Sequence, residues 1–429
     1  MNPLTDALDA AFDAIAPELL DIYRDLHRHP ELSMQEHRTA GIAADYIEKR
    51  GYAVTRGIGA TGVVGVLRNG DGPTVMLRAD MDALPMAEET GLPYASTITA
   101  IDADGRNVGV AHSCGHDLHV AWLLGAARLL ADARHAWQGT VLVVFQPGEE
   151  TAQGADAMVA DWDAAGLPHP DVVLGQHVMV GAAGTVSYRP GVILSAADSL
   201  QVKLFGRGSH GSQPQTSIDP VVMAAATVMR LQTIVSREIA PLDGAVLTIG
   251  SLQAGTKENI IPDDATLKLN LRTYDEGVRA HMLRAVRRIC CAESDASDAP
   301  RPPEFTMLSS YPLTDNDHEA TRRVAEAFRA QFGDAALACA PKAASEDFSV
   351  FGRSWNVPYV FWFVGGTDPG LHAKAKAEGT LNKLPSNHSP RFAPVLEPTF
   401  RVGLRAMLSA AAWLCAPDDA ATQGGDARA

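Results

Sequence analysis

The sequence predicts an α/β protein that carries an inserted α+β domain, and three observations lead there. Residues 140–145 form a continuous apolar run that stops at Pro147-Gly148, the pattern of a buried strand. Glu149 and Glu150 follow at once, at a strand's carboxyl end, where open α/β sheets place their ligands. Residues 195–310, in contrast, read strand, helix, strand, strand, helix, strand, opening on a strand that alternates apolar and polar residues. That is the split βαβ order of a ferredoxin-like domain. A chain of 429 residues is long enough for two domains of the usual ~100–200 residues.

From the amino terminus, Leu8, Phe12 and Ile15, then Leu19, Ile22 and Leu26, recur at spacings of three and four, an amphipathic helical stripe. Pro17 is expected to open a second helix there and Pro30 to close it. Residues 39–49 continue as helix, and 61–67 and 74–77 read as strands around the turn Asn69-Gly70-Asp71-Gly72. The polar stretch 100–107 reads as a loop, 120–131 as an apolar helix, and 155–160 as a helix of small residues. Val172 to Leu174 is a short buried strand with His177 at its tip. In the insert, Asp219-Pro220 is an N-cap followed by proline at the first helical position. Leu267, Leu269 and Leu271 share one strand face. A further helix begins at Asp317, an apolar strand covers 359–365, and 400–414 is a closing helix. The expected organisation is a first domain from 1–194 and 311–417, an inserted domain at 195–310, and a disordered tail at 418–429.

Hydrophobic residues make up 46% of the chain and charged ones 20%, which fits a globular protein with ample core. A net charge of −15 leaves no basic face for nucleic acid or an anionic membrane. The five cysteines, Cys114, Cys290, Cys291, Cys339 and Cys415, are odd in number and scattered, so no disulfide framework is expected and a reducing compartment is. The first residues lack a basic segment followed by an apolar one, and no run approaches the ~18 apolar residues of a membrane span. The expected location is the cytoplasm.

The chemistry concentrates in a few places. Cys114 and His116, spaced i, i+2 before an apolar helix, are ligand types that divalent transition metals prefer. Two adjacent carboxylates divide their work most simply as one on a cation and one free to move protons. Asp80 and Asp82 could orient metal-bound imidazoles from behind. His177 and His388, the latter in the turn-rich 385–390 loop, are further ligand candidates. Singly, each feature has an ordinary reading: a solvated charge pair, a small core cysteine, a satisfied core histidine. Together they favour a metal site. His27, His29 and His37 are expected to pack or cap near the first helices, and His112 and His119 to flank the metal loop.

With these residues assembled, the chain resembles the M20 metallopeptidases, in the amidohydrolase branch of hippurate hydrolases, N-acyl-amino-acid amidohydrolases and auxin-conjugate hydrolases. Ten segments carry the resemblance in one order: Arg24-Asp-Leu-His27 with Pro30-Glu-Leu, 78–85, 112–119, 146–150, 175–177, 206–210 with Pro214 and Asp219-Pro220, 259–263, Arg272, 345–348 and 387–390. It implies a mixed-sheet metallohydrolase domain with a ferredoxin-like satellite. It also implies one or two divalent ions (Mn, Zn, Ni or Co) on Cys114, His116, Glu150, His177 and His388. Glu149 would be the proton shuttle and Asp82 the aspartate that orients a ligand. His210 would reach across a homodimer, formed through the satellite, to polarise the substrate carbonyl. Asn259 and Arg272 would hold the substrate. Thr151 stands where relatives usually have glycine, Gln215 where a histidine is common, and Gln176 where leucine is. The stretch 100–108 is longer than usual. All four departures fall where substrate choice could be set.

The implied reaction is metal-dependent hydrolysis of the amide bond of an N-acyl amino acid, with a dipeptidase or carboxypeptidase of the same family as the alternative. Two other readings compete. In one, Cys114 is a nucleophile with His112 or His116 as its base, which leaves Glu149, Glu150, His177 and His388 unexplained. In the other, the chain is a catalytically silent binding protein, which predicts a missing ligand or base where all six are present.

Overall fold

The computed structural model describes residues 3–415, so the tail expected at 418–429 lies outside the described residues. The chain divides into two compact units. One comprises Met1–Ile193, Asn316–Ala340 and Asp347–Ala429, the other Leu194–Asp315 and Pro341–Glu346. The sequence keeps 341–346 with the first domain, whereas the structure clusters it with the second.

The first unit is built on an eight-stranded mixed sheet, in the order Ala53–Ile58, Gly62–Asn69, Gly139–Gln146, Thr74–Asp80, Val172–Ala182, Tyr359–Thr367, Val186–Tyr188, Ala336–Ala338. Its four central strands run parallel. They are apolar nearly throughout because helices cover both faces, so neither face alternates with water. The helices Pro3–Arg28, His116–Asp132 and Leu396–Ala410 pack against one another on one face. Their core includes Leu19, Trp122, Leu404 and Phe400, all fully buried.

Pro17 does not divide the first helix, which runs unbroken from Pro3 to Arg28. A proline inside a helix costs about 3 kcal/mol through one lost hydrogen bond and a clash. The stripe Leu4, Leu8, Phe12, Ile15, Leu19, Tyr23 and Leu26 is buried along the whole length, and each such side chain contributes about 1.5–3 kcal/mol. Burial wins. The stretch 100–107 is likewise no open loop. Thr99–Ile101 pairs antiparallel with Asn107–Gly109, and Asp102 closes the hairpin by accepting from the Asp104 and Arg106 amides at 2.9 and 2.8 Å.

One close approach fixes how the helices dock. A Cβ on Gly403 would lie 2.1 Å from Cε2 of Trp122, and the Trp122 indole is held in place by donating to the Phe400 carbonyl at 2.9 Å. Gly403→Ala is therefore expected to destabilise this unit by about 3 kcal/mol, the upper end for an overpacked core. The check is the urea midpoint at unchanged slope.

The second unit is a four-stranded antiparallel sheet, ordered Ala245–Ala254, Asp264–Thr273, Ala196–Phe205, Glu304–Tyr311. The helices Pro220–Thr233 and Glu276–Ala296 lie on its Leu267, Leu269 and Leu271 face, which is buried. Asp219 and Asp275 cap them by accepting from the Val221 and Val278 amides. Among the described residues, no helix is long and apolar enough to cross a membrane.

Candidate metal centre

The carboxyl edge of the central strands gathers the candidate residues of the first unit. Asp80 pairs in register with Gln146, and Arg78 with Gly175. Asp80 and His177 therefore stand level on neighbouring strands, two residues beyond that second pair. His177 is not at a strand tip. The strand continues to Ala182 because Tyr359–Thr367 pairs with it past that point. Its imidazole Nδ1 donates to the Val178 carbonyl at 2.7 Å, which leaves Nε2 3.4 Å from the Cys114 Sγ. His116 opens the His116–Asp132 helix after a left-handed turn at Gly115. Glu149 and Glu150 start a 3₁₀ turn after Gly148. His388 is brought in from a distant loop by its own amide, which donates to the Ser113 carbonyl at 2.9 Å.

The donor atoms converge. His388 Nε2 lies 3.2 Å from Glu150 Oε2, and His116 Nε2 lies 3.8 Å from Glu150 Oε1 and 3.9 Å from Glu149 Oε2. Cys114, Glu150 and His388 form one tight group of potential ligand atoms, and His116, Glu149 and Glu150 another. Two donors on one tetrahedral ion, each at 2.0–2.3 Å, sit about 3.3–3.8 Å apart. The two separations from His116 Nε2 are too long for hydrogen bonds and close to that range, while the His388–Glu150 separation suits either a direct contact or a shared cation. His116 Nε2 and Glu150 Oε1 are buried and have no hydrogen-bond partner. Buried polar atoms are rarely left so, and both address the same gap. The residues present fit one or two divalent ions.

Electrostatics agrees. Burial works against a charge on His116, yet Asp80, Asp82 and Glu150 push its pKa up to about 10. Burial, then the negative field of Glu150, Glu149 and Asp80, holds the Cys114 thiol well above its ordinary value. The site thus carries an excess of buried negative charge, and metal coordination would deprotonate the thiol outright.

Asp82 and Asp80 sit behind these groups. Asp82 Oδ1 accepts from His116 Nδ1 at 3.2 Å, which turns Nε2 toward the gap, and its Oδ2 accepts from the Glu150 amide at 2.9 Å. Asp80 is fully buried, 2.7 Å from the equally buried Arg78 guanidinium, and accepts from His119 Nδ1 at 2.6 Å. His119 Nε2 accepts from the Val178 amide at 2.9 Å. Although His119 lies within ligand range of His116 and His177, both its nitrogens are committed to hydrogen bonds, which leaves neither for a cation. Neither ring nitrogen of His112 has a hydrogen-bond partner. His27 is buried between Asp117 at 2.7 Å and Glu88 at 3.0 Å, tying the first helix to the metal loop.

Gln176 is not at the site. Side chains alternate along a strand, and its amide points to the opposite face, donating to the Gly403 carbonyl and accepting from Trp362 Nε1. Its exchange for leucine therefore concerns packing, not substrate choice. In the second unit, Ser209–His210 pairs with Ile260–Ile261, which sets His210 beside Asn259. His210 is exposed and its Nδ1 lies 2.7 Å from the Ser212 hydroxyl. Arg272 donates through Nη1 to the Ala343 carbonyl and, at 3.2 Å, to the Ser345 hydroxyl.

Three contributors are assigned no role of their own from the sequence, although Arg78 and Asn387 lie within segments that carry the resemblance. Arg78 spans Asp80, Gln146 and Asp347. Asn387 donates to the Val178 carbonyl at 3.0 Å and reaches Cys114 Sγ at 3.7 Å. Glu36 is completely buried. Only Glu36 stands out by position, a glutamate at a helix N-cap where Ser, Thr, Asp or Asn is usual.

Thiol, imidazole and carboxylate donors collected at the carboxyl edge of a mixed sheet make a candidate centre for divalent metal, and the family and relatives that the chain matches make it a metal-dependent amidohydrolase. The chain belongs to peptidase family M20/M25/M40, which it matches over residues 76–381. It is 36% identical over 361 residues to a hippurate hydrolase of Campylobacter jejuni, spanning 81% of this chain and 90% of that protein. It is 35% identical over 352 residues to thermostable carboxypeptidase 2 of Saccharolobus solfataricus, spanning 81% and 85%. Among solved structures, the Bacillus subtilis YXEP protein, described as a dinuclear metal binding peptidase of the M20 family, superposes with a TM-score of 0.72. The two are 27% identical over 94% of this chain and 99% of that one.

Proposed function

We propose that the protein hydrolyses the amide bond of N-acyl amino acids, releasing the carboxylic acid and the free amino acid. One observation carries the reading: Cys114, His116, Glu150, His177 and His388 converge from four separate segments, with Glu149 beside them. These five residues would hold one or two divalent ions. One thiolate with imidazoles and a carboxylate admits Zn, Mn, Ni or Co. When bound, such an ion supplies Lewis acidity to the carbonyl and brings the pKa of a water from 15.7 to about 7. Glu149 takes a proton from the attacking water as its oxygen bonds the carbonyl carbon. It returns that proton to the nitrogen as the C–N bond breaks, acting as base and then as acid. Asp82 keeps the His116 ring turned toward the ion.

Substrate contacts come from the satellite, assigned to residues 195–310. Arg272 would pair with the free carboxylate of the amino acid, Asn259 would hold the scissile carbonyl of the acyl group, and His210 would polarise that carbonyl across a homodimer. The edge strand Ala245–Ala254, with Val246 and Leu252 exposed, and the neighbouring helix, with Val222 and Met229 exposed, support pairing of two copies through this domain. Cys114, Cys290 and Cys291 are free thiols, which supports the reducing cytoplasm as the location.

The relative named a carboxypeptidase favours a second reading, cleavage of peptides. Metal-reconstituted enzyme assayed on hippurate, N-acetyl-L-cysteine, N-acetyl-L-methionine and free-amino dipeptides separates the two. Turnover of the acylated amino acids is the expected result, and turnover of the dipeptides alone would overturn it. On the best acylated substrate, Arg272→Ala is expected to raise KM about tenfold or more, the loss of a charge-assisted pair. An unchanged KM would refute the role of Arg272.

A further inference from the structure

We propose that Glu36 is a positioning residue for Glu149, acting through the Gly148 amide, and that Ser33 in the same loop does the equivalent for Asp82. The proposal rests on reading Glu149 as the proton carrier. Glu36 precedes the helix His37–Glu48, but its side chain does not cap that helix. It turns inward and is completely buried. Its Oε1 accepts from the amides of Met34 and Gly148, both at 2.8 Å, and its Oε2 accepts from the Thr61 hydroxyl at 2.5 Å. Burying a carboxylate is costly unless it is fully bonded, and here one oxygen collects amides from two separate turns.

The loop is pressed against the turn it serves. Gly148 has a φ of +57°, and a Cβ there would lie 2.5 Å from Met34 Sδ, so glycine is favoured on both counts. Met34 itself takes a φ of +64°, a conformation uncommon for a side chain of its size, which delivers its amide to the same carboxylate oxygen. Gly148 is the N-cap of the turn that carries Glu149 and Glu150. Fixing its amide fixes where both carboxylates leave the strand. Two residues back from Met34, Leu32 pairs with Ala83, and the Ala83 amide donates to the Glu31 carbonyl at 2.8 Å. From that anchorage Ser33 donates to Asp82 Oδ2 at 2.6 Å, the oxygen that also accepts the Glu150 amide. Residues 31–36 thus grip the two chain segments that leave neighbouring strands to form the site. A displacement of about 1 Å in such a group costs on the order of 100-fold in rate.

The test compares Glu36→Ala, Glu36→Gln, Ser33→Ala and Glu149→Gln on the best substrate of the panel above, with zinc content, zinc affinity and melting temperature measured alongside. Expected for Glu36→Ala is a kcat lower by about 100-fold, with KM within about threefold and zinc still bound. Glu36→Gln keeps an oxygen for both amides and an NH₂ that can donate to Thr61, so it is expected to recover kcat to within about fivefold of wild type. Ser33→Ala is expected to weaken zinc binding by about tenfold while kcat at saturating zinc holds. Should Glu36→Ala not fold, Thr61→Val, which removes one of the three bonds, is expected to lower kcat by about fivefold or more. Wild-type kcat in Glu36→Ala or in Thr61→Val overturns the proposal. So does a Glu36→Gln enzyme as impaired as Glu36→Ala, because the defect would then follow the charge and not the held amide. An active Glu149→Gln overturns the reading of Glu149 itself, whereas an inactive one beside an unimpaired Glu36→Ala overturns the positioning role alone.

Discussion

Replacing Glu149 with alanine is expected to lower kcat by about 10³–10⁴-fold at saturating metal, the upper range for removal of a general acid–base. Glu149 is the only proton carrier the mechanism assigns, and it serves both halves of the reaction. Its carboxylate is buried and approaches the cation gap to 3.9 Å from His116 Nε2. Cys114, His116, Glu150, His177 and His388 remain in the variant, so the metal content is expected to stay unchanged. KM should change little, because the loss falls on the transition state and not on substrate binding. Steady-state kinetics with elemental analysis of the same preparation checks both halves. Undiminished turnover in this variant would remove the mechanism.

Chelation is expected to have the second large effect, abolishing turnover and lowering stability together. Asp80, Asp82, Glu149 and the Glu150 side chain are all buried around one gap. Without a cation their charge is offset mainly by His116, raised to about 10 against its burial, and by Arg78. A ligand present at about 1,000 times its Kd stabilises the state that binds it by about 4 kcal/mol, so the metal-free protein should melt well below the reconstituted one. Refilling with zinc, manganese, nickel or cobalt should restore both readings. A hydrolase that used Cys114 as its nucleophile would instead survive EDTA and lose activity to iodoacetamide. Full activity after exhaustive dialysis against chelator, with no metal detected, would decide for that reading.

Much of this arrangement is legible in the chain because it is local. The continuous apolar run before Pro147-Gly148 marks a buried parallel strand, and the carboxylates behind it fall at the sheet edge where the structure has them. Cys114 and His116 read as a turn into a helix, and the helix begins at His116. What the sequence misplaces depends on partners far along the chain. His177 looks like a strand tip, since nothing local shows that Tyr359–Thr367 will extend the pairing to Ala182. Pro17 looks like a helix boundary because propensity is local, whereas the burial that overrides it is not. Gln176 invites a substrate role by its neighbour, but strand periodicity alone turns it to the opposite face. Arg78 and Asp347 meet across 269 positions, and no pattern of spacing announces such a pair. Glu36 holds Gly148 from 112 positions away, so its work shows only once the two turns are seen together.

The most direct measurement is anomalous diffraction at the zinc edge from crystals grown with excess zinc. Expected is an ion about 2.3 Å from the Cys114 Sγ, with His177, His388, Glu150 and His116 supplying the remaining donors to it or to a second ion beside it at about 2.0–2.2 Å. An ion bound elsewhere, or one on Cys114 with His177 and His388 both beyond about 4 Å of every zinc, would contradict the shared centre and the chemistry built on it.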